Sequence, residues 1–123
     1  MRNGKPAAPL ALELRYTSLD PFAVRITLQA AGASVCWSLA RETLLQGVRR
    51  HEGVGDVAAW PVRHREFVLL RIRLGPPHCC AVVQADRDLV ATWLNITTIL
   101  VPPGTESTHM DWDSFLDSVL NDC

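Results

Sequence analysis

Four arginines crowd one short stretch of the chain: Arg63, Arg65, Arg71 and Arg73, with Trp60 and Phe67 close by. Guanidinium groups among aromatic rings suit a single-stranded nucleic acid, because the cations take the phosphates and the bases stack on the rings. On a strand, Arg71 and Arg73 share a parity and hence a face, and Arg63 and Arg65 join them if the strand starts early. Two features oppose this reading. Glu66 interrupts the cluster, and the formal net charge of −1 gives no general pull toward a polyanion. A solvated or subunit-facing sheet surface is the simpler interpretation, so the four arginines stand as a candidate interaction surface. Asp113 and Asp117 form a second candidate. They lie one helical turn apart on the polar side of an amphipathic segment, near its start, where the helix dipole favours negative charge. Acid–base or calcium chemistry would need further groups at set positions, and these are missing.

Other chemistry finds little material. No GxSxG, phosphate loop, HExxH or glycine-rich dinucleotide turn is present, and no nucleophile is recognisably paired with a base, so no catalytic residue and no cofactor is assigned. His51, His64, His78 and His109 all fall in or beside expected loops. Four cysteines occur, Cys36, Cys79, Cys80 and Cys123. Adjacent residues on a strand point to opposite faces, so Cys79 and Cys80 chelate poorly together. Cys36, His78 and Cys79 are conceivable metal ligands, but no CxxC spacing supports them. Reduced structural thiols are the default for a cytosolic protein.

The elements that position these residues follow from periodicity. Leu10, Leu12, Leu14 and Tyr16 alternate with Glu13 and Arg15, a half-buried strand. After the Asp20-Pro21 turn signal, Phe22, Val24, Ile26 and Leu28 alternate inward, and beyond residues 30–33 so do Val35, Trp37 and Leu39. Short connections between them predict an antiparallel meander. The period changes at Arg41: Glu42, Leu44, Leu45 and Val48 fit one or two helical turns, weakened by Gly47, and residues 49–53 read as a polar loop. Strands resume over residues 56–60, 66–74 and 79–84. Asp86 is placed to cap a helix carrying Leu89, Val90, Trp93 and Leu94, whose end is blurred by the β-branched run 96–99. Pro102, Pro103 and Gly104 form a hinge. A last amphipathic helix, capped by Asp111, carries Trp112, Phe115, Leu116, Val119 and Leu120. The fold class is therefore α+β: antiparallel sheets of about six to seven strands, a short helix and two C-terminal helices.

At 123 residues the chain is expected to form a single domain, 1–123, with a flexible N-terminus over residues 1–9. No signal peptide or membrane-length apolar run is visible, which predicts a cytoplasmic protein. Charge is uneven: residues 1–75 hold eleven of the twelve Lys and Arg, whereas residues 86–123 carry seven Asp or Glu and only Arg87. Such polarity can orient a partner or a sister subunit. Trp37, Trp60, Trp93 and Trp112 are expected as core or interface anchors.

Taken together, several segments resemble the SsgA-like regulators of actinobacterial sporulation and cell division. They are Leu14-Arg15-Tyr16 with Asp20-Pro21-Phe22-Ala23-Val24, Trp37-Ser38-Leu39-Ala40-Arg41-Glu42 with Leu44-Leu45-Gln46-Gly47, Gly55-Asp56-Val57 with Trp60-Pro61, and Val101-Pro102-Pro103-Gly104-Thr105-Glu106. The resemblance implies a Whirly-type fold, as in SsgB-like members, and a homo-oligomer, specifically a trimer. It also implies a non-enzymatic adaptor acting at division septa through the tubulin-like protein FtsZ or other SsgA-like proteins. It supplies no catalytic residues.

Overall fold

The computed structural model describes residues 11–30 and 32–109. In chain order the elements are strands β1 (Ala11–Arg15), β2 (Ala23–Ala30) and β3 (Ala33–Ala40) and helix α1 (Arg41–Gly47). Strands β4 (Glu52–Val54), β5 (Val57–His64), β6 (Phe67–Leu74) and β7 (Ala81–Asp86) follow, then helices α2 (Arg87–Leu100) and α3 (Glu106–His109). The α+β class with antiparallel sheets is as expected. The terminal helix read over residues 111–121, with Asp113 and Asp117, lies outside the described residues. The chain divides into two compact units, with one boundary after Arg41 and another after Ile96.

The unit holding residues 11–41 and 97–109 is built on a three-stranded sheet in the order β1-β2-β3. Leu14 faces Ile26 and Ile26 faces Trp37 across the ladder, so strand alternation collects the apolar residues on one side. Val24, Ile26 and Leu39 are buried there. Two expected inward residues are instead exposed, Phe22 and Val35. Phe22 belongs to the turn preceding β2, whose alternation starts only at Ala23. Val35 is close to the hairpin end, two residues into β3. The β1–β2 connection is held by Tyr16, whose hydroxyl donates to the Pro21 carbonyl at 2.8 Å.

The unit holding residues 42–96 contains a four-stranded antiparallel sheet in the order β4-β5-β6-β7. Its buried apolar residues are Leu44, Val48, Ala58, Ala59, Leu70, Ile72, Leu74, Val83, Val90 and Leu94. Full burial of each larger one stabilises by roughly 1.5–3 kcal/mol. Strand β4 lies where a polar loop was expected. Three residues are too few to show a period, and pairing with β5, Glu52 opposite Ala59, creates the strand. Gly47, weak as a helix former, has a packing reason. A Cβ built on it would stand 2.5 Å from the Ala59 Cβ, so only glycine allows α1 to approach β5 this closely. Gly47→Ala is expected to destabilise by about 1–3 kcal/mol through overpacking, despite its better helix propensity. Urea denaturation checks this.

Asp86 caps α2 as the sequence suggests: its Oδ1 accepts from the backbone N–H groups of Asp88 and Leu89 at 2.8 and 3.1 Å. The β-branched run does not end the helix, which continues to Leu100.

Candidate interaction surface

The arginine cluster is split by its own hairpin. The strand does not start early: β5 ends at His64, β6 begins at Phe67, and Arg65 occupies the turn with φ of 58°. Arg71 lies opposite Trp60 and Arg73 opposite Ala58, whereas Arg63 pairs with Val68. Alternation therefore puts Arg63 on the face of Leu70 and Ile72, away from Arg71 and Arg73. The last two are already engaged. Arg71 Nε donates to Gln84 Oε1 at 3.1 Å, and Arg73 donates to the carbonyls of Gly75 and Gly55, both at 3.2 Å. On the same face, Trp60 stacks with His51 at 5.4 Å between ring centroids, and Phe67 is exposed.

Cys79 and Cys80 are free and exposed. Cys36 departs from the reduced state expected for it and is disulfide-bonded. It lies on β3 opposite Thr27, whose hydroxyl donates to the Cys36 sulfur at 3.8 Å. Among the described residues no group of three or more His, Cys, Asp or Glu could hold a metal ion, and no helix is long and apolar enough to cross a membrane.

A constellation not foreseen from sequence centres on Arg41. The side chain is 1% exposed although it opens α1, where a positive charge is disfavoured by the helix dipole. Its guanidinium donates to the carbonyls of Thr97 and Val101, each at 2.9 Å, and to Glu106 at 2.9 Å. It also lies over the Tyr16 ring, 5.1 Å from the centroid. Glu106 reaches back to accept the Gly104 N–H at 2.8 Å, and Gly104 has φ of 93°. Arg41 thus fastens the Pro-Pro-Gly hinge. The only hint in sequence is that Arg41 and Glu106 fall in two of the segments carrying the family resemblance.

Burial pushes the Glu106 carboxyl upward, but hydrogen bonds from Arg41 and from the backbone of Glu106 and Gly104, with the Arg41 charge, outweigh it and leave its pKa below the usual 4.5. Because the folded value is the depressed one, this contribution is complete above pH 4.5 and fades as pH falls through the folded value. The thermal midpoint advantage of the native chain over Glu106→Gln is therefore expected to be constant near neutrality and to shrink in acid. Melts from pH 7 to pH 3 check this.

Among the described residues, helix α2 carries several exposed large apolar side chains. Val90, Leu94 and Thr97 are buried on one side. On another, Leu89, Ile96, Ile99 and Leu100 are 72%, 60%, 81% and 54% exposed. The steps 89, 96 and 100 follow the helical repeat, with half-buried Trp93 between them, so these side chains form a continuous stripe. Contiguous exposed apolar patches mark contact sites.

Two antiparallel sheets, of three and four strands, with their helices define an α+β protein. Residues 10–106 match the family model described as Streptomyces sporulation and cell division protein, SsgA, and the chain belongs to that family. The sporulation-specific cell division protein SsgB of Streptomyces coelicolor is 35% identical over 119 residues, covering 96% of this chain and 87% of the relative. SsgB of Salinispora tropica is 32% identical, covering 93% of this chain and 82% of the relative. The crystal structure of an SsgA-like sporulation-specific cell division protein from Thermobifida fusca superposes with a TM-score of 0.84 at 31% identity, over 96% of this chain and 87% of that one. A structure reported with SsgB mutations that correlate with longitudinal cell division during sporulation of Streptomyces coelicolor gives 0.79 at 35% identity, over 88% and 86%. Relatives of this family carry names that assign them to sporulation-specific cell division.

Proposed function

We propose that this chain is a non-enzymatic adaptor of sporulation-specific division, a single functional SsgA-like unit whose copies associate through the outward face of α2. One observation carries this reading: the exposed stripe of Leu89, Ile96, Ile99 and Leu100 lies within residues 89–105, which contain no charged side chain. Lasting interfaces between identical subunits are the apolar, charge-depleted kind, and transient ones are more polar. The family resemblance supports three copies, and the uneven charge of the chain then leaves polar surface for FtsZ or another SsgA-like protein at the septum. Retention of FtsZ or an SsgA-like protein on the immobilised native chain is the expected result; retention of neither contradicts the adaptor role.

A second reading is favoured by the stacked His51 and Trp60, beside Arg71 and exposed Phe67 on one sheet face. This is a platform for a single-stranded nucleic acid. Anisotropy of a labelled single strand tests it. Binding that weakens steeply with salt and is lost on joint replacement of Arg71 and Arg73 supports it, and no binding at low salt removes it.

A further inference from the structure

We propose that the tip of the β5–β6 hairpin, residues 63–67, is the docking point for an acidic, extended segment of a partner protein. The proposal deepens the adaptor reading and rests on it for the existence of a partner. The hairpin outruns its sheet. Strand β4 covers β5 only from Val57 to Ala59, and β7 covers β6 only from Leu69 onward. Among the described residues, the two strands beyond those points pair with each other alone, and residues 63–67 are exposed one after another.

The turn is strained. Arg65 has φ of 58° and is the one residue other than glycine with a positive φ among the described residues, at a position that hairpins normally give to glycine or asparagine. Strain kept where glycine would remove it points to a use for the side chain. The charges are also free: unlike Arg71 and Arg73, neither Arg63 nor Arg65 makes an ion pair or a side-chain hydrogen bond. Phe67, 59% exposed, faces His64 across the ladder and supplies an aromatic anchor of the kind enriched in protein contacts. Charge complementarity decides the occupant. Two unpaired guanidiniums suit carboxylates, which each can hold as a planar fork. Glu66 stands between Arg65 and Phe67 and repels a nucleic acid strand or an anionic membrane, whose neighbouring groups are all phosphates. In a protein segment a backbone N–H can meet it.

Fluorescence anisotropy of a labelled peptide of repeating Glu-Asp-Leu, added to the full chain, tests the docking. The native chain should bind it, more weakly as salt rises from about 50 to about 200 mM, and should ignore the same peptide with Gln and Asn in place of its acids. Arg63→Gln/Arg65→Gln and Phe67→Ala should each weaken binding at least about fivefold. Arg71→Gln/Arg73→Gln removes as much charge from the other end of the hairpin and should bind within about twofold of the native chain. Arg65→Gly should melt roughly 2–4 °C above the native chain, because glycine accepts the positive φ, and yet bind the peptide more weakly. Absence of peptide binding, an equal loss in Arg71→Gln/Arg73→Gln, or tighter binding of an oligothymidine strand or of phosphatidylglycerol vesicles would overturn the proposal. A lower midpoint for Arg65→Gly would overturn the strain argument. A division protein retained equally by the native chain and by Arg63→Gln/Arg65→Gln would leave the adaptor role standing and overturn the tip as its contact.

Discussion

Arg41→Met is expected to destabilise the protein by roughly 3–5 kcal/mol, the cost of breaking a buried ion pair from one side. Methionine fills much of the arginine volume but donates nothing. The Val101 carbonyl and the Glu106 carboxylate each lose a 2.9 Å hydrogen bond, and the Tyr16 ring loses its cation. Thr97 O suffers less, because the Val101 N–H still donates to it at 2.8 Å. Glu106→Gln keeps one acceptor but replaces the other carboxylate oxygen, which accepts from Arg41 or Gly104, by an NH2 donor, and is expected to cost about 2 kcal/mol. Arg41→Lys should fall between the two, since an ammonium cannot span the carbonyls and the carboxylate as a planar fork does. Urea denaturation of all three variants checks the ranking; a loss below about 1 kcal/mol for Arg41→Met would contradict the role given to it.

The second large effect concerns association rather than folding. Ile96→Asp combined with Ile99→Asp places two carboxylates on the exposed face of α2. An isolated chain should hardly notice, because exposed substitutions usually change stability by no more than about 0.5 kcal/mol each. A contact between copies should weaken at least about 100-fold, because each carboxylate must be desolvated without a partner. Sedimentation over a concentration series separates these outcomes. An unfolded variant would show that the face is already covered within the chain, contrary to its exposure.

The backbone plan was legible in the sequence because meanders of consecutive strands leave a two-residue period with short connections. Val24, Ile26, Leu70 and Ile72 declare their faces in this way. The site was less legible, for particular reasons. Helix α2 is apolar on more than one side, so periodicity identifies the helix without telling whether Leu89 or Val90 is covered. Arg41 lacks any pattern, since its partners Thr97, Val101 and Glu106 lie 56 to 65 residues away. The arginines between 63 and 73 misled because a strand parity was carried across a hairpin, and the Arg-Glu turn contains none of the residues that usually announce one.

The central claim, that the outward face of α2 joins copies of this chain, is tested most directly by size-exclusion chromatography with light scattering at micromolar concentration. The account predicts three times the chain mass for the native protein and the mass of one chain for the folded Ile96→Asp/Ile99→Asp variant. A native protein that elutes as one chain, or a variant that keeps the native mass, would contradict it.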